Sequence, residues 1–377
     1  MASHSPNRLA WKRYRIPIAM PVVTQDDIDA VTGALRTASL SSGDYVEEFE
    51  REFARYVGVK EAVAVNSGTA ALQLALKAQG IKTGDEVITT SFTIAATSNA
   101  IVTLGAIPIF ADVEDETYNL DPDLIESKIT DRTKAIMPIH YGGQCAEMDR
   151  IRKIAEAHDL KVIEDAAPAA GSKFHNRFAG TLADAAGFSF FPDKNMTTGE
   201  GGMLATNDAT IADKSRYLRK HGAPKRYFNV DIGWNFKMPD FCAALGNSQL
   251  KRLEKVIARK NELASYYTDH LKGVDGIACP YVRPYNRHTF MLYAIRLRDS
   301  QSREKVRMAL ENNGIETRIN FPPVHLQPIY QNLFGSKLGM LPKTERIAET
   351  IISLPIYTQM ARDDQDNVIR CVKEALQ

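Results

Sequence analysis

The chain has 377 residues, 44% of them hydrophobic and 25% charged, a balance expected for a globular protein of two or three domains. Lysine and arginine total 47 against 46 aspartate and glutamate, a net charge of +1, which excludes a polybasic nucleic-acid binder or an acidic tail as the main theme. Four cysteines (Cys145, Cys242, Cys279, Cys371) stand far apart, with no pair at zinc or redox spacing.

The chain opens on a polar, basic dozen residues that read as an arm. The apolar run Ile16–Val23 is short and broken by two prolines, so it is neither a signal-peptide core nor a membrane span. A reducing, cytoplasmic setting is expected. Thr24-Gln25-Asp26-Asp27 reads as a capping box opening a helix, with Ile28, Val31 and Leu35 on one face. After the turn Ser41-Ser42-Gly43, a second helix carries Val46, Phe49, Phe53 and Val57 at helical spacing.

From residue 61 the texture changes. Seven short apolar runs follow: Ala62–Val65, Glu86–Thr90, Ile107–Ala111, Lys134–Ile139, Lys161–Glu164, Ala186–Phe191 and Met203–Thr206. Several lack a period of two, as strands covered on both faces do. Helices are predicted between them at Ala70–Gln79, at Leu124–Ile129 with Asp121 as cap and Pro122 in the first turn, and at Met148–Ala157. The fold class is α/β, with a mainly parallel seven-stranded sheet wrapped by helices. The pattern stops near residue 208. A long helical region runs from Pro239 to Leu271. A strand at Phe290–Leu297 and helices near Arg303–Asn312 and Asp363–Ala375 then suggest a smaller C-terminal α+β domain. The division is placed at 1–255 and 256–377.

Three segments carry chemistry, each where a buried strand stops, and strand C-terminal ends are where such sheets build ligand sites. In Asn66-Ser67-Gly68-Thr69-Ala70-Ala71 a strand gives way to a helix start, whose free N–H groups favour an anion. In Val162-Ile163-Glu164-Asp165 two acids follow an apolar strand and can hold a cation, a metal or a protonated ring nitrogen. From Phe188 to Gly202, Lys194 sits between apolar residues and a glycine-rich turn, and a sheltered lysine can act as an amine nucleophile. Taken singly, these features read better as a helix cap, a solvated strand end and a surface lysine. Together they are the parts that pyridoxal phosphate needs: an anion cradle, a carboxylate for the pyridine nitrogen and a lysine for the covalent link.

At this point the chain resembles the DegT/DnrJ/EryC1/StrS family of sugar aminotransferases, fold-type I pyridoxal phosphate enzymes. The matching stretches run in the family's order: Leu40-Ser41-Ser42-Gly43, Asn66 to Leu72, Ser91-Phe92-Thr93, Glu164 to Ala167, Lys194 with Thr197 to Gly202, Gly233-Trp234-Asn235, and Gly314-Ile315 through Pro322-Pro323-Val324-His325.

The resemblance implies that Lys194 is the Schiff-base lysine and Asp165 the pyridinium partner. Gly68, Thr69 and Ser189 match phosphate contacts, and Ile94 stands at the ring-stacking position. Asn235 matches an asparagine that reaches the phosphate from the neighbouring subunit of a homodimer, with His221-Gly222 and the loop up to Asn235 serving the partner's site. His140, Lys225, Arg226, Arg318 and His325 are candidate substrate residues, and Trp234 is read as a packing residue. No metal is implied. The chain departs from the family at Ile94, where an aromatic residue is usual, at Pro168, where many members carry Gln or His, and at Phe191, which replaces a frequent His.

The implied reaction moves an amino group from glutamate to a nucleotide-linked keto-sugar. The Thr-Thr-Gly-Glu-Gly-Gly turn and the Pro-Pro-Val-His segment stand closest to perosamine-synthase-like members. That favours a GDP- or UDP-linked 4-keto-6-deoxy sugar aminated at C4. Two alternatives are a same-fold sugar dehydratase, which carries His in place of the lysine, and a cofactor-binding regulator without turnover. No nucleic acid or membrane partner is expected.

Overall fold

The computed structural model describes residues 14–377; the arm expected over the first dozen residues lies outside them. The alternating segment folds as β1 (Glu61–Val65), β2 (Glu86–Thr90), β3 (Ile107–Ala111), β4 (Thr133–Met137) and β5 (Lys161–Asp165). A small ribbon follows, β6 (Lys173–Phe174) and β7 (Arg177–Phe178), and then β8 (Ala185–Ser189) and β9 (Gly202–Thr206). The main sheet has the order β1-β9-β8-β5-β4-β2-β3. Within it β9 runs antiparallel to both β1 and β8, and the other pairs are parallel. All five residues of β2 and of β9 are buried, as in a sheet covered on both faces.

The covering helices are α1 (Gln25–Arg36), α2 (Asp44–Val57), α3 (Gly68–Ala78), α4 (Ala95–Val102), α5 (Met148–Ala157) and α6 (Ala209–Leu218). Val46, Phe49, Phe53 and Val57 of α2 are all buried. Phe53 meets Phe188 and Phe190 edge-on, with ring centroids 5.0 and 5.5 Å away. The capping box at Thr24 and Asp27 forms. The apolar face of α1 lies partly at the surface, with Ile28 and Leu35 about half exposed. The helix buries Asp27 and Ala34 and lies against a later helix, α7 (Asp240–Leu250).

The region from Pro239 to Leu271 is two helices, α7 (Asp240–Leu250) and α8 (Leu253–Leu271). At the break, Arg252 reaches the Val22 carbonyl at 2.7 Å, Thr24 Oγ1 at 2.7 Å and Asp27 at 2.6 Å. The helix expected over Leu124–Ile129 is two 3-10 turns, Pro122–Leu124 and Glu126–Lys128. Asp121 caps the first turn, but Ile129 returns to extended backbone toward β4 before four-residue hydrogen bonds can form.

Beyond α8 lie β10 (Ile277–Ala278), β11 (Asn286–Arg287), β12 (Tyr293–Leu297) and β13 (Ile351–Leu354). With them come α9 (Ser300–Asn312), α10 (Pro328–Phe334), α11 (Pro342–Thr350) and α12 (Arg362–Glu374). β10, β12 and β13 form a second sheet, while β11 joins the β6–β7 ribbon. Leu253 and Ile257 of α8 pack in the large core, and Leu263, Tyr267 and Leu271 pack with β12, β13 and α12. Ile16 belongs to this second core and bridges to Ile315. The segment before α1 thus packs with the C-terminal body, whereas the sequence division grouped it with the large domain.

Candidate active site

Because β9 runs against its neighbours, its first residue meets the last residues of β1 and β8 at one sheet edge. Ser67 caps α3, and its hydroxyl accepts from the Ala70 N–H at 3.1 Å. The N–H groups of a first helical turn have no intrahelical acceptor, so Gly68 and Thr69 offer theirs to an anion. Two glycines bring the strands onto this turn. A Cβ on Gly68 would lie 2.7 Å from the Ser189 Cβ, and one on Gly202 would lie 2.4 Å from the Ser67 carbonyl oxygen. The result is a cradle of backbone N–H groups with the hydroxyls of Thr69 and Ser189 beside it.

The two acids at the end of β5 separate because consecutive strand residues face opposite sides of a sheet. Glu164 turns inward, accepting from the Gly180 N–H at 2.8 Å and the Leu182 N–H at 2.9 Å, and it meets His140 Nε2 at 2.8 Å. Asp165 is buried on the other side. It accepts from Thr97 Oγ1 at 2.6 Å and from the Ala167 N–H at 3.1 Å. Burial pushes its pKa up; the Thr97 and Ala167 hydrogen bonds and the positive charge of Lys194 pull the other way without restoring the ordinary value.

Lys194 lies in the connection from β8 to β9. The loop is fixed by the Thr197 hydroxyl and the Thr198 N–H, which donate to the Phe190 carbonyl at 2.9 and 3.0 Å. The Asn195 amide donates to the Thr289 carbonyl at 3.0 Å. The Lys194 side chain is 19% exposed, with Nζ 3.5 Å from Asp193 Oδ1. The structure therefore brings Gly68, Thr69, Asp165, Ser189 and Lys194 to one edge of one sheet. Among the described residues no cluster of His, Cys, Asp or Glu could hold a metal ion.

The other sequence candidates divide. Ile94, at the start of α4, is 55% exposed, and Phe191 is 45% exposed. Arg318 is exposed beside the lysine loop and reaches Asp193 Oδ2 at 3.4 Å. With Phe191, Pro192, Met20 and Val23 it lines a cleft of about 700 Å³. Arg226 stands on an exposed excursion with its guanidinium over the Tyr227 ring, and Lys225 is exposed beside it. Asn235 is also exposed; its carbonyl accepts from Asn66 Nδ2 at 3.3 Å and its side-chain oxygen from Lys237 Nζ at 2.5 Å. Trp234 stacks on Phe236 at 5.2 Å and packs on a core cluster.

Two candidates are corrected. His140 is fully buried, with Nε2 on Glu164 and Nδ1 accepting the Ala146 N–H at 3.2 Å. His325 is equally buried, with Nδ1 on Ser91 Oγ at 2.7 Å and Nε2 on Glu345 at 3.0 Å. Neither has a ring nitrogen left for a substrate. His140 follows a strand end and His325 lies in a short 3-10 turn, Val324–Leu326; neither setting says in sequence which way the side chain turns, and both turn into the core.

Thr97 escaped the sequence reading. Its signal was faint: Thr93 lies just before α4 and Thr97 in its first turn, and the two hydroxyls share a hydrogen bond of 2.9 Å. Lys260, buried in α8, escaped as well, although its signal was there: it stands at helical spacing between Ile257 and Ala264 on the apolar stripe.

The sequence profile of the DegT/DnrJ/EryC1/StrS aminotransferase family matches residues 21–373. The chain belongs to this family. The spore coat polysaccharide biosynthesis protein SpsC of Bacillus subtilis is 41% identical, over 96% of this chain and 97% of its own. GDP-perosamine synthase of Caulobacter vibrioides is 40% identical, over 96% and 98%. Among solved structures, S. venezuelae DesV in complex with a ketimine intermediate superposes with a TM-score of 0.90 at 36% identity, covering 93% of this chain and 94% of that one. The protein is a pyridoxal-phosphate-dependent aminotransferase with the family's α/β fold. An anion cradle, a buried carboxylate and a sheltered lysine on one edge fit that cofactor.

Proposed function

We propose that this aminotransferase moves an amino group from glutamate to C4 of a GDP- or UDP-linked 4-keto-6-deoxy sugar, in the cytoplasm and as a homodimer with shared active sites. The observation that carries this reading is the meeting of Lys194, Asp165 and the Gly68–Ser189 cradle at one sheet edge, beside the cleft bordered by Phe191 and Arg318. The sugar follows the relative named GDP-perosamine synthase.

When bound, pyridoxal phosphate supplies an electron sink for the substrate carbon. The chain's own residues do the rest. The N–H groups of Gly68 and Thr69 and the hydroxyl of Ser189 would hold the phosphate. The Asp165 carboxylate would keep a proton on the ring nitrogen. Lys194 Nζ would hold the cofactor and would move a proton to and from the substrate carbon. Ile94 would supply an apolar contact to the ring. Arg318 meets a phosphate of the sugar nucleotide, for which its planar fork is suited.

Support for the shared site comes from the excursion between His221 and Asn235. It is pinned at its base, where the His221 N–H donates to the Trp234 carbonyl at 2.8 Å. It lifts Tyr227 and Ile232 to 86% and 82% exposure. Apolar side chains so exposed mark a surface that another chain covers. In this reading a second copy covers them and receives Asn235 and Arg226. The four cysteines are free thiols, in keeping with a reducing compartment.

The test uses the enzyme loaded with cofactor, glutamate carrying heavy nitrogen, and a panel of GDP-, UDP- and dTDP-keto-sugars. Mass spectrometry should find the label in a GDP- or UDP-linked amino sugar. Loss of the glutamate half-reaction refutes the donor. A working half-reaction with no labelled sugar nucleotide refutes the acceptor.

A further inference from the structure

The residue before the cofactor lysine is an acid, and its surroundings are unusual. Asp193 Oδ1 lies 3.5 Å from Lys194 Nζ, and its Oδ2 lies 3.4 Å from Arg318 Nη1. Behind the loop a small cavity of about 30 Å³ is lined by Asp193, Lys194, Asn195, Arg252 and Lys260, room for a water molecule. Asp193 Oδ1 and Asn195 Oδ1 are buried there without a hydrogen-bond donor. Lys260 comes to this cavity from α8 and is only 5% exposed. The Asp193 carboxylate thus stands among Lys194, Arg318 and Lys260, while Arg252 on the same cavity is paired with Asp27 at 2.6 Å.

We propose that Asp193 is a positioning residue for the Lys194 amine, with Arg318 and Lys260 as the counter-charges that set how strongly it holds. The inference rests on the reading of Lys194 as the cofactor lysine. A released lysine must stay near the substrate carbon and must also give up its proton. A bare carboxylate 3.5 Å away would hold the amine but lock it as an ammonium. A carboxylate already shared with Arg318 and facing Lys260 holds it more loosely. The charged groups facing Lys194 are Asp193 from its own loop, Asp165 from β5, Lys260 from α8 and, across the cavity, Arg252, whose charge is met by Asp27 at 2.6 Å; Arg318 acts through Asp193, and Glu316 in turn holds Arg318 at 3.3 Å. The coupling shows on Lys260 as well: burial lowers its pKa to about 8, Asp193 opposes the fall and Lys194 adds to it.

The test begins with borohydride reduction of the holoenzyme and peptide mass mapping. If the cofactor is not trapped on Lys194, the assignment of that lysine fails, and the proposal with it. Once it is trapped there, the absorbance of the bound cofactor is titrated against pH in wild type, Asp193→Asn, Lys260→Met and Arg318→Gln. Asp193→Asn should lower the midpoint by about one unit or more, the usual effect of removing an opposite charge at this range. Lys260→Met and Arg318→Gln should raise it, Arg318→Gln by less because that side chain is 46% exposed and screened. If Asp193→Asn does not fold, the two cation variants still decide. A merely structural role would alter melting temperature and leave the midpoints together. Midpoints that stay together, or that move in one direction in all three variants, overturn the proposal.

Discussion

Replacing Thr97 by valine keeps the shape of a buried side chain and removes one hydroxyl. That hydroxyl donates to Asp165 Oδ2 at 2.6 Å and lies 2.9 Å from Thr93 Oγ1. A hydrogen bond to a charged group contributes about 1.5–3 kcal/mol, and 1.36 kcal/mol corresponds to one pKa unit. Losing it should raise the proton affinity of Asp165 further, since one of the donors that favour its charged form is gone. Burial already holds that pKa above the ordinary value, so the two effects add. The proton on the cofactor ring would then shift toward Asp165, and the ring would be a poorer electron sink. The half-reaction with glutamate, followed by stopped-flow absorbance, should slow by about ten- to a hundredfold. Thr97→Ser keeps the hydroxyl and should retain most of the rate. The apoprotein offers a second measurement. A carboxylate whose folded pKa is raised costs stability above that pKa, and the cost is relieved as pH falls through it. The destabilisation of Thr97→Val, measured by denaturant unfolding of the apoprotein, should therefore shrink toward acid pH. A Thr97→Val half-reaction within about threefold of Thr97→Ser would refute the role given to this hydrogen bond.

Lys194→Ala should fold normally and lose transamination by several orders of magnitude, because the covalent amine and the proton carrier go together; steady-state turnover within about tenfold of wild type would contradict it. Mixing Lys194→Ala with an inactive Asn235→Ala chain should restore activity once subunits exchange, since some mixed dimers carry one site with both native residues. A silent mixture with proven exchange would place Asn235 in its own chain's site. Gly202→Ala would set a methyl 2.4 Å from the Ser67 carbonyl oxygen, which as backbone cannot yield cheaply; cofactor affinity, read by equilibrium dialysis, should fall at least about tenfold. Phe53→Ala removes a ring packed on Phe188 and Phe190 and should cost about 3–5 kcal/mol in denaturant unfolding, with little change in the half-reaction of the folded fraction.

The sequence by itself determined the sheet and its helices, because a strand covered on both faces reads as a short apolar run and an amphipathic helix as a period of 3.6. The predicted strands at Glu86–Thr90 and Ile107–Ala111 coincide with β2 and β3, and α5 spans the predicted Met148–Ala157. Local chemistry was legible too: the capping box at Thr24, and Asp121 with Pro122 opening a turn. So were the segments where strands end, together with the acid and the lysine they carry. Direction was not. Only the tertiary structure decided that Asp165 faces Thr97 while Glu164 turns to His140, that His325 is consumed by Ser91 and Glu345, and that the apolar stripe of α1 is half exposed. These outcomes depend on which face meets which neighbour, and that neighbour stands 24 residues away for Glu164, 68 for Asp165 and 234 for the Ser91 contact of His325. Lys260 is the sharpest instance. Its place at helical spacing among Leu253, Ile257, Ala264, Tyr267 and Leu271 puts it on the inward stripe of α8, but only the fold shows that this stripe passes behind the loop of Lys194, where the charge is buried.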